Sequence, residues 1–272
     1  MNNPNSVEPQ STQVRAPNLF KLALEARAPL EFAAGLAAFP LLANQRRGDG
    51  HPVIVYPGFM ASDISTGPLR AWLGWLGYDT YGWEQGRNLN PSPEVFAQAR
   101  ERIRGLHARH GRKISLVGWS LGGLYARELA KLEPDLVRSV VSLGSPFVGS
   151  VKATNAHRLF QLLNSNKQQA NIPLQDLHVP PPMPTTSIYS RSDGIVAWQC
   201  SVQAAGPQAE SIEVHASHTG MGVNPLVLHA LADRLAQAEG KWMPFERTGL
   251  RRLAYPNAAR SACFAWNTKA AA

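Results

Sequence analysis

Residues 114–124 constrain this chain more than any other stretch. Ile114-Ser115-Leu116-Val117 is an apolar, strand-like run, Gly118-Trp119-Ser120-Leu121-Gly122-Gly123 follows without a spacer, and a helical pattern begins at Leu121. A Gly-x-Ser-x-Gly placed directly between a strand and a helix predicts a very tight turn, with Gly118 and Gly122 where side chains would crowd the serine. On such a turn Ser120 projects from the carboxyl edge of a sheet, and the positive end of the next helix lies beside it, where anionic charge would develop. Gly123 lets that helix pack closely. The five-residue pattern alone arises easily by chance. Its flanking strand and helix make Ser120 a candidate nucleophile rather than an inert turn residue.

The rest of the chain supplies a sheet around this turn. Short apolar, β-branched runs at 53–56, 78–81, 113–117, 137–143, 186–190 and 211–215 predict strands. Helical spacing predicts helices over 67–76, from Pro91-Ser92-Pro93 through 108, over 121–132 and over 226–236. Strands alternating with helices give the α/β class, with a parallel sheet covered on both faces. Residues 1–45 read as a polar arm followed by a helical segment broken near Pro29, and residues 46–240 as the catalytic α/β unit. Within that unit 151–184 is an irregular insertion, and 241–272 is a basic tail. No internal repeat is visible.

With the elbow and this alternation in hand, the sequence resembles the α/β-hydrolase superfamily, and within it bacterial lipases and esterases, over roughly residues 52–235. The resemblance implies an α/β-hydrolase fold, a mostly parallel eight-stranded sheet flanked by helices, a cap at the 151–184 insertion, and a catalytic order of Ser, then acid, then His. A serine hydroxyl is a weak nucleophile until a base takes its proton, and an acid must orient that base. Of the eight histidines, His51, His107 and His110 precede the serine. His157 and His178 fall in the insertion, and His229 lies within the last helical pattern. His218 follows the last predicted strand, where this fold presents its base, with His215 as the runner-up. For the acid, Asp193 in Ser190-Arg191-Ser192-Asp193-Gly194-Ile195-Val196 follows a strand as the family's acid does. Asp135 and Glu133 read as a helix-to-strand turn.

The oxyanion of an acyl-transfer intermediate needs two donors. The resemblance implies the backbone N–H of Leu121 as one and the loop Tyr56-Pro57-Gly58-Phe59-Met60 as the source of the other, with Phe59 the candidate and Met60 the alternative. Gly144-Ser145-Pro146 is similar to the Gly-Thr-Pro segment of many lipases and leans towards acyl esters. Met60, Trp119, Leu159 and Phe160 are the expected substrate-binding side chains; Leu159 and Phe160 could equally pack a cap on the sheet. Trp83-Glu84-Gln85-Gly86-Arg87-Asn88 also resembles a lipase loop, or serves only to stabilise a turn.

Composition narrows the partners. The 272 residues carry a net charge of +8, read first as a solvated basic surface and second as attraction to anionic lipid. No nucleic-acid-binding motif accompanies the charge. The segment 19–43 is apolar but holds Lys21, Glu25, Arg27 and Glu31 and two prolines, a poor membrane span. Packing against the core is its expected role, with peripheral membrane contact as the alternative. Cys200 and Cys263 sit in no ligand spacing, so no metal and no cofactor is expected, and both are read as free thiols. No signal-like segment opens the chain, which leads to a cytoplasmic expectation. The sum is a serine hydrolase of a small-molecule or lipid-like carboxylic ester. An acyltransferase using the same triad, a non-catalytic binding protein on this fold and a triad-bearing peptidase, amidase or haloperoxidase-like enzyme are the alternatives.

Overall fold

Six β-branched and apolar runs pair into one sheet. The computed structural model describes residues 14–89, 91–148, 154–155, 176–204, 206–249 and 251–257. Its strands are β1 (Pro52–Tyr56), β2 (Asp79–Gly82), β3 (Ile114–Trp119), β4 (Val137–Leu143), β5 (Thr185–Ser190) and β6 (Ala209–Val214), in the order β2-β1-β3-β4-β5-β6. Every pairing is parallel.

Side chains alternate across the sheet, as the two-residue period of a strand requires. Val53 and Val55 join one buried cluster, with Val117, Val141, Ile188 and Ile212. Ile54 and Tyr56 join the other, with Leu116 and Val140. Helices α4 (Asp63–Trp75) and α7 (Pro225–Leu235) fill the first cluster through Leu69, Leu73, Val227 and Leu231. Helices α5 (Pro93–His110) and α6 (Leu121–Leu132) fill the second through Phe96, Ile103, Tyr125 and Leu129. Burial on both faces is why β1, β3 and β4 read as largely apolar runs.

The helix ends follow from local chemistry. Ser92 caps α5 by accepting a hydrogen bond from the Val95 N–H at 3.3 Å, Pro93 occupies its first turn, and Gly111 ends it with φ 61°. Helix α4 begins at Asp63, ahead of the expected start at 67, and carries Pro68 inside it. The Thr66-Gly67-Pro68 run reads as a breaker, but burial of Thr66, Leu69, Trp72 and Leu73 holds the helix through it.

Before β1 the chain is helical: α1 (Leu19–Ala23), a 3₁₀ turn at Leu24–Arg27, α2 (Ala28–Ala37) and α3 (Phe39–Ala43). Pro29 and Pro40 sit in the first turns of α2 and α3, where a missing N–H costs nothing. The eight strands implied by the resemblance are therefore six among the described residues. The apolar residues ahead of Pro52 are spaced for helix, and the chain beyond β6 goes into α7. Past α7, a short helix α8 (Arg251–Ala254) leads to Tyr255, which is buried with Phe245 and donates its hydroxyl to the Leu226 carbonyl at 2.9 Å. Among the described residues no helix is long and apolar enough to cross a membrane. Most of the insertion 151–184, with Leu159 and Phe160, lies outside the described residues, as does Cys263.

Candidate active site

The strand order fixes where a site can form. From β1 the chain moves to β2 on one side, then returns to β3 on the other. The loops leaving the carboxyl ends of β1 and β3 therefore part company and leave a crevice, the usual ligand position in an open parallel sheet. Ser120 stands at that point. It separates β3 from α6 with φ 54° and ψ −119°, a strained backbone for a non-glycine residue. Its N–H donates to the Leu143 carbonyl at 2.8 Å, tying the turn to β4. A Cβ on Gly122 would lie 2.3 Å from the Tyr56 carbonyl oxygen, and one on Gly118 would lie 2.3 Å from that of Gly122. Both glycines are needed for the turn to close against β1, as the spacing predicts.

Asp193 lies just beyond β5 and His218 just beyond β6, both buried. Asp193 Oδ2 is 2.7 Å from His218 Nδ1. Its Oδ1 accepts from the N–H groups of Ile195 and Val196, each at 2.8 Å, so the carboxylate is held on both oxygens. An ionised carboxylate only accepts, so Nδ1 carries the proton and Nε2 is left as the basic nitrogen. Burial pushes the His218 pKa down, but the charge and hydrogen bond of Asp193 and the charge of Glu25 outweigh it and the net shift is upward. Among the described residues no hydrogen bond joins His218 to the Ser120 hydroxyl. That link commonly tightens only when a substrate is bound. His215, the runner-up, is exposed and offers only its carbonyl, to the Asn224 side chain.

The loop after β1 passes beside the serine: a Cβ on Gly58 would sit 3.4 Å from that of Ser120. The Met60 N–H donates to the Asn88 carbonyl at 2.7 Å, so it is committed elsewhere. Leu121 opens α6, and N–H groups of a helix's first turn have no partner within the helix. The Met60 side chain is exposed at the loop's tip. Trp119 has a structural task as well: its indole N–H donates to the His218 carbonyl at 3.0 Å, and its ring packs on Gly222.

Three residues that hold this arrangement are not marked individually by the sequence. Asn88 lies in the Trp83–Asn88 loop and locks the segment from Pro57 to Ala61. Glu25 and Glu31 reach the loops of Asp193 and His218 from the helices before β1. Their only hint is the presence of charges inside an otherwise apolar segment. Among the described residues no three His, Cys, Asp or Glu side chains gather as metal ligands.

A sequence model described as "Alpha/beta hydrolase family" matches residues 66–260. Among solved structures, lipase B of Aspergillus fumigatus superposes with a TM-score of 0.55 at 19% identity, over 74% of this chain and 54% of that one. A structure of the metagenome-derived lipolytic enzymes LipS and LipT gives 0.53 at 15% identity, over 70% and 95%. Bacillus licheniformis lipase BlEst2 gives 0.50 at 17% identity, over 70% and 92%. The chain thus spans about half the length of the Aspergillus enzyme. At these identities the likeness is one of fold.

Proposed function

The chain belongs to the alpha/beta hydrolase family, and from that premise we propose that it is a serine hydrolase that cleaves a carboxylic ester, lipid-like in its acyl part, through an acyl-enzyme on Ser120. One observation carries the reading. The Asp193–His218 pair, 2.7 Å apart and buried, lies at the carboxyl edge of the sheet that also carries the strained Ser120, with the neighbouring Trp119 bonded to the His218 carbonyl, in the chain order Ser, Asp, His. The lipase and lipolytic names of the fold neighbours support an ester substrate.

In the proposed reaction His218 Nε2 takes the hydroxyl proton as Ser120 Oγ attacks the ester carbonyl carbon. The N–H groups of Leu121 and Phe59 hold the oxyanion. The tetrahedral intermediate collapses, the C–O bond to the alcohol breaks, and His218 hands its proton to the leaving oxygen. Water then attacks the acyl-enzyme with His218 again as base, and the carboxylic acid and free Ser120 result.

Hydrolysis of a p-nitrophenyl ester series from acetyl to palmitoyl tests this. Wild type is expected to turn over, with Ser120→Ala and His218→Ala at background and Asp193→Asn lowered by about ten-thousand-fold in kcat through the wrong imidazole tautomer. A Ser120→Ala variant as active as wild type would remove Ser120 from the chemistry.

A further inference from the structure

The Asp193 and His218 loops leave different strands, β5 and β6, and one side chain from the N-terminal helices joins them. Glu25 Oε1 accepts from the N–H of Gly194 at 2.8 Å and from the N–H of His218 at 2.9 Å. Its Oε2 accepts from the N–H and the hydroxyl of Thr219 at 2.9 and 2.8 Å. These partners lie 169, 193 and 194 residues away along the chain. Glu31 repeats the device one residue earlier, accepting from the Ser217 N–H at 2.7 Å and its hydroxyl at 2.8 Å. Arg27 closes the set by donating to Glu31 at 2.9 Å and to the Ser192 hydroxyl at 2.8 Å.

The seat is cut for this segment on both loops. A Cβ on Gly194 would lie 2.3 Å from the Lys21 carbonyl oxygen and 2.9 Å from Glu25 Cγ. A Cβ on Gly220 would lie 1.8 Å from Glu31 Oε2. A side chain at Gly194 meets the backbone of the helical segment, and one at Gly220 displaces the Glu31 carboxylate from Ser217.

We propose that Glu25 is a positioning residue for His218: by bridging Gly194, His218 and Thr219 it locks the loop of the base to the loop of the acid, so the N-terminal helical segment completes the working site. This rests on the triad reading above. The charged groups near the imidazole are Asp193 at its Nδ1 edge, Glu25 at its backbone and, one step out, the Arg27–Glu31 pair on Ser192 and Ser217. Burial pushes the Glu25 pKa up, but the N–H groups of His218, Thr219 and Gly194 pull it down further, so it stays ionised and favours the imidazolium. A charged bridge therefore does two things that a packing contact would not. It sets the geometry of the base, and it helps hold the proton that His218 takes from Ser120.

The test compares Glu25→Gln and Glu25→Asp with wild type. Glu25→Gln is expected to lower kcat by about 10–100-fold with little change in KM, and to move the acidic limb of kcat/KM to lower pH. The NMR titration of the His218 ring should move the same way, and it reads the bridge whether or not any ester turns over, so loss of the hydrolase reading and loss of this one stay separable. Glu25→Asp keeps the charge but is too short to span both loops, so its kcat should fall while its acidic limb stays near that of wild type. Wild-type kcat in Glu25→Asp, or an unmoved His218 titration in a folded Glu25→Gln, would overturn the proposal. So would a lower melting temperature accompanied by wild-type kcat and pH profile.

Discussion

Asn88 is fully buried and holds the loop after β1 at three points. Its side-chain amide donates to the Pro57 carbonyl at 2.8 Å, its N–H donates to the Ala61 carbonyl at 2.8 Å, and its carbonyl accepts from Met60. Together they bracket Phe59 and force Met60 to φ 61°. The expected outcome of Asn88→Ala is a fall in kcat approaching the roughly 10²–10³ that loss of one oxyanion donor costs, with KM little changed. Steady-state kinetics on a single p-nitrophenyl ester checks it. A matched rise in KM at constant kcat would instead assign Asn88 to substrate binding. The turn at Ser120 was legible because a tight turn must be written locally in glycines, and the pairing of Asp193 with His218 because the chain order implied by the resemblance narrows the choice. Asn88 was legible only as part of the Trp83–Asn88 loop and Glu25 only as a charge in an apolar segment, because each acts through a long-range bond set that imposes no pattern on its neighbours.

At the scale of elements, α6 is where local and distant forces agree. Its bounds follow from the sequence because Gly118–Gly122 fixes its start and Pro134 its end. What the pattern did not show is how its far face is held. Arg127 is buried on that face, with its guanidinium 3.9 Å from the centre of the Phe147 ring. It donates to Gln203 Oε1 at 2.5 Å and to the carbonyls of Leu177 and Val179, each at 3.2 Å. Burial pushes its pKa down to about 9. An arginine in an amphipathic helix pattern reads as solvent-facing, so only the packing of the chain before β5 and after it discloses this role. Arg127→Met keeps the apolar stem and leaves three acceptors without their donor, at roughly 1–3 kcal/mol for each that stays dry. A loss of about 3 kcal/mol is expected, lowering Tm by roughly 6–12 °C. Thermal unfolding followed by circular dichroism measures it, and a Tm within about 2 °C of wild type would mean that water replaces the guanidinium.

Across the whole molecule the candidate site and a buried polar cluster lie at opposite ends of the sheet. A hydrogen-bonded Ser, His and Asp chain exists at the amino end, where His51 Nε2 is 2.8 Å from Ser115 Oγ and Nδ1 is 2.5 Å from Asp49 Oδ1. Its distances match what a triad needs, yet Ser115 and His51 are fully buried, and the serine sits at the amino end of β3 rather than at a strand-to-helix turn. Placement at the carboxyl edge, not hydrogen-bond geometry, is what distinguishes Ser120. The same contrast sets opposite pH behaviour. Burial pushes the His51 pKa down to about 4, with Arg138 and Arg112 adding to it against the pull of Asp49. Below the ordinary value of 6.5 the unfolded chain takes up a proton that folded His51 refuses, so this stability is complete above about 6.5 and is lost as pH falls to about 4. Each pH unit of that window is worth about 1.4 kcal/mol, which makes the whole of order 3 kcal/mol. His218, shifted upward, contributes with the other sign: its stabilisation is complete below its unfolded value and lost as pH rises through the folded one. Urea unfolding at pH 7 and pH 4.5 should therefore show a steeper acid loss in wild type than in His51→Gln, whose side chain can still donate to Asp49 but does not titrate. Equal losses in the two proteins would place the acid sensitivity in the carboxylates instead.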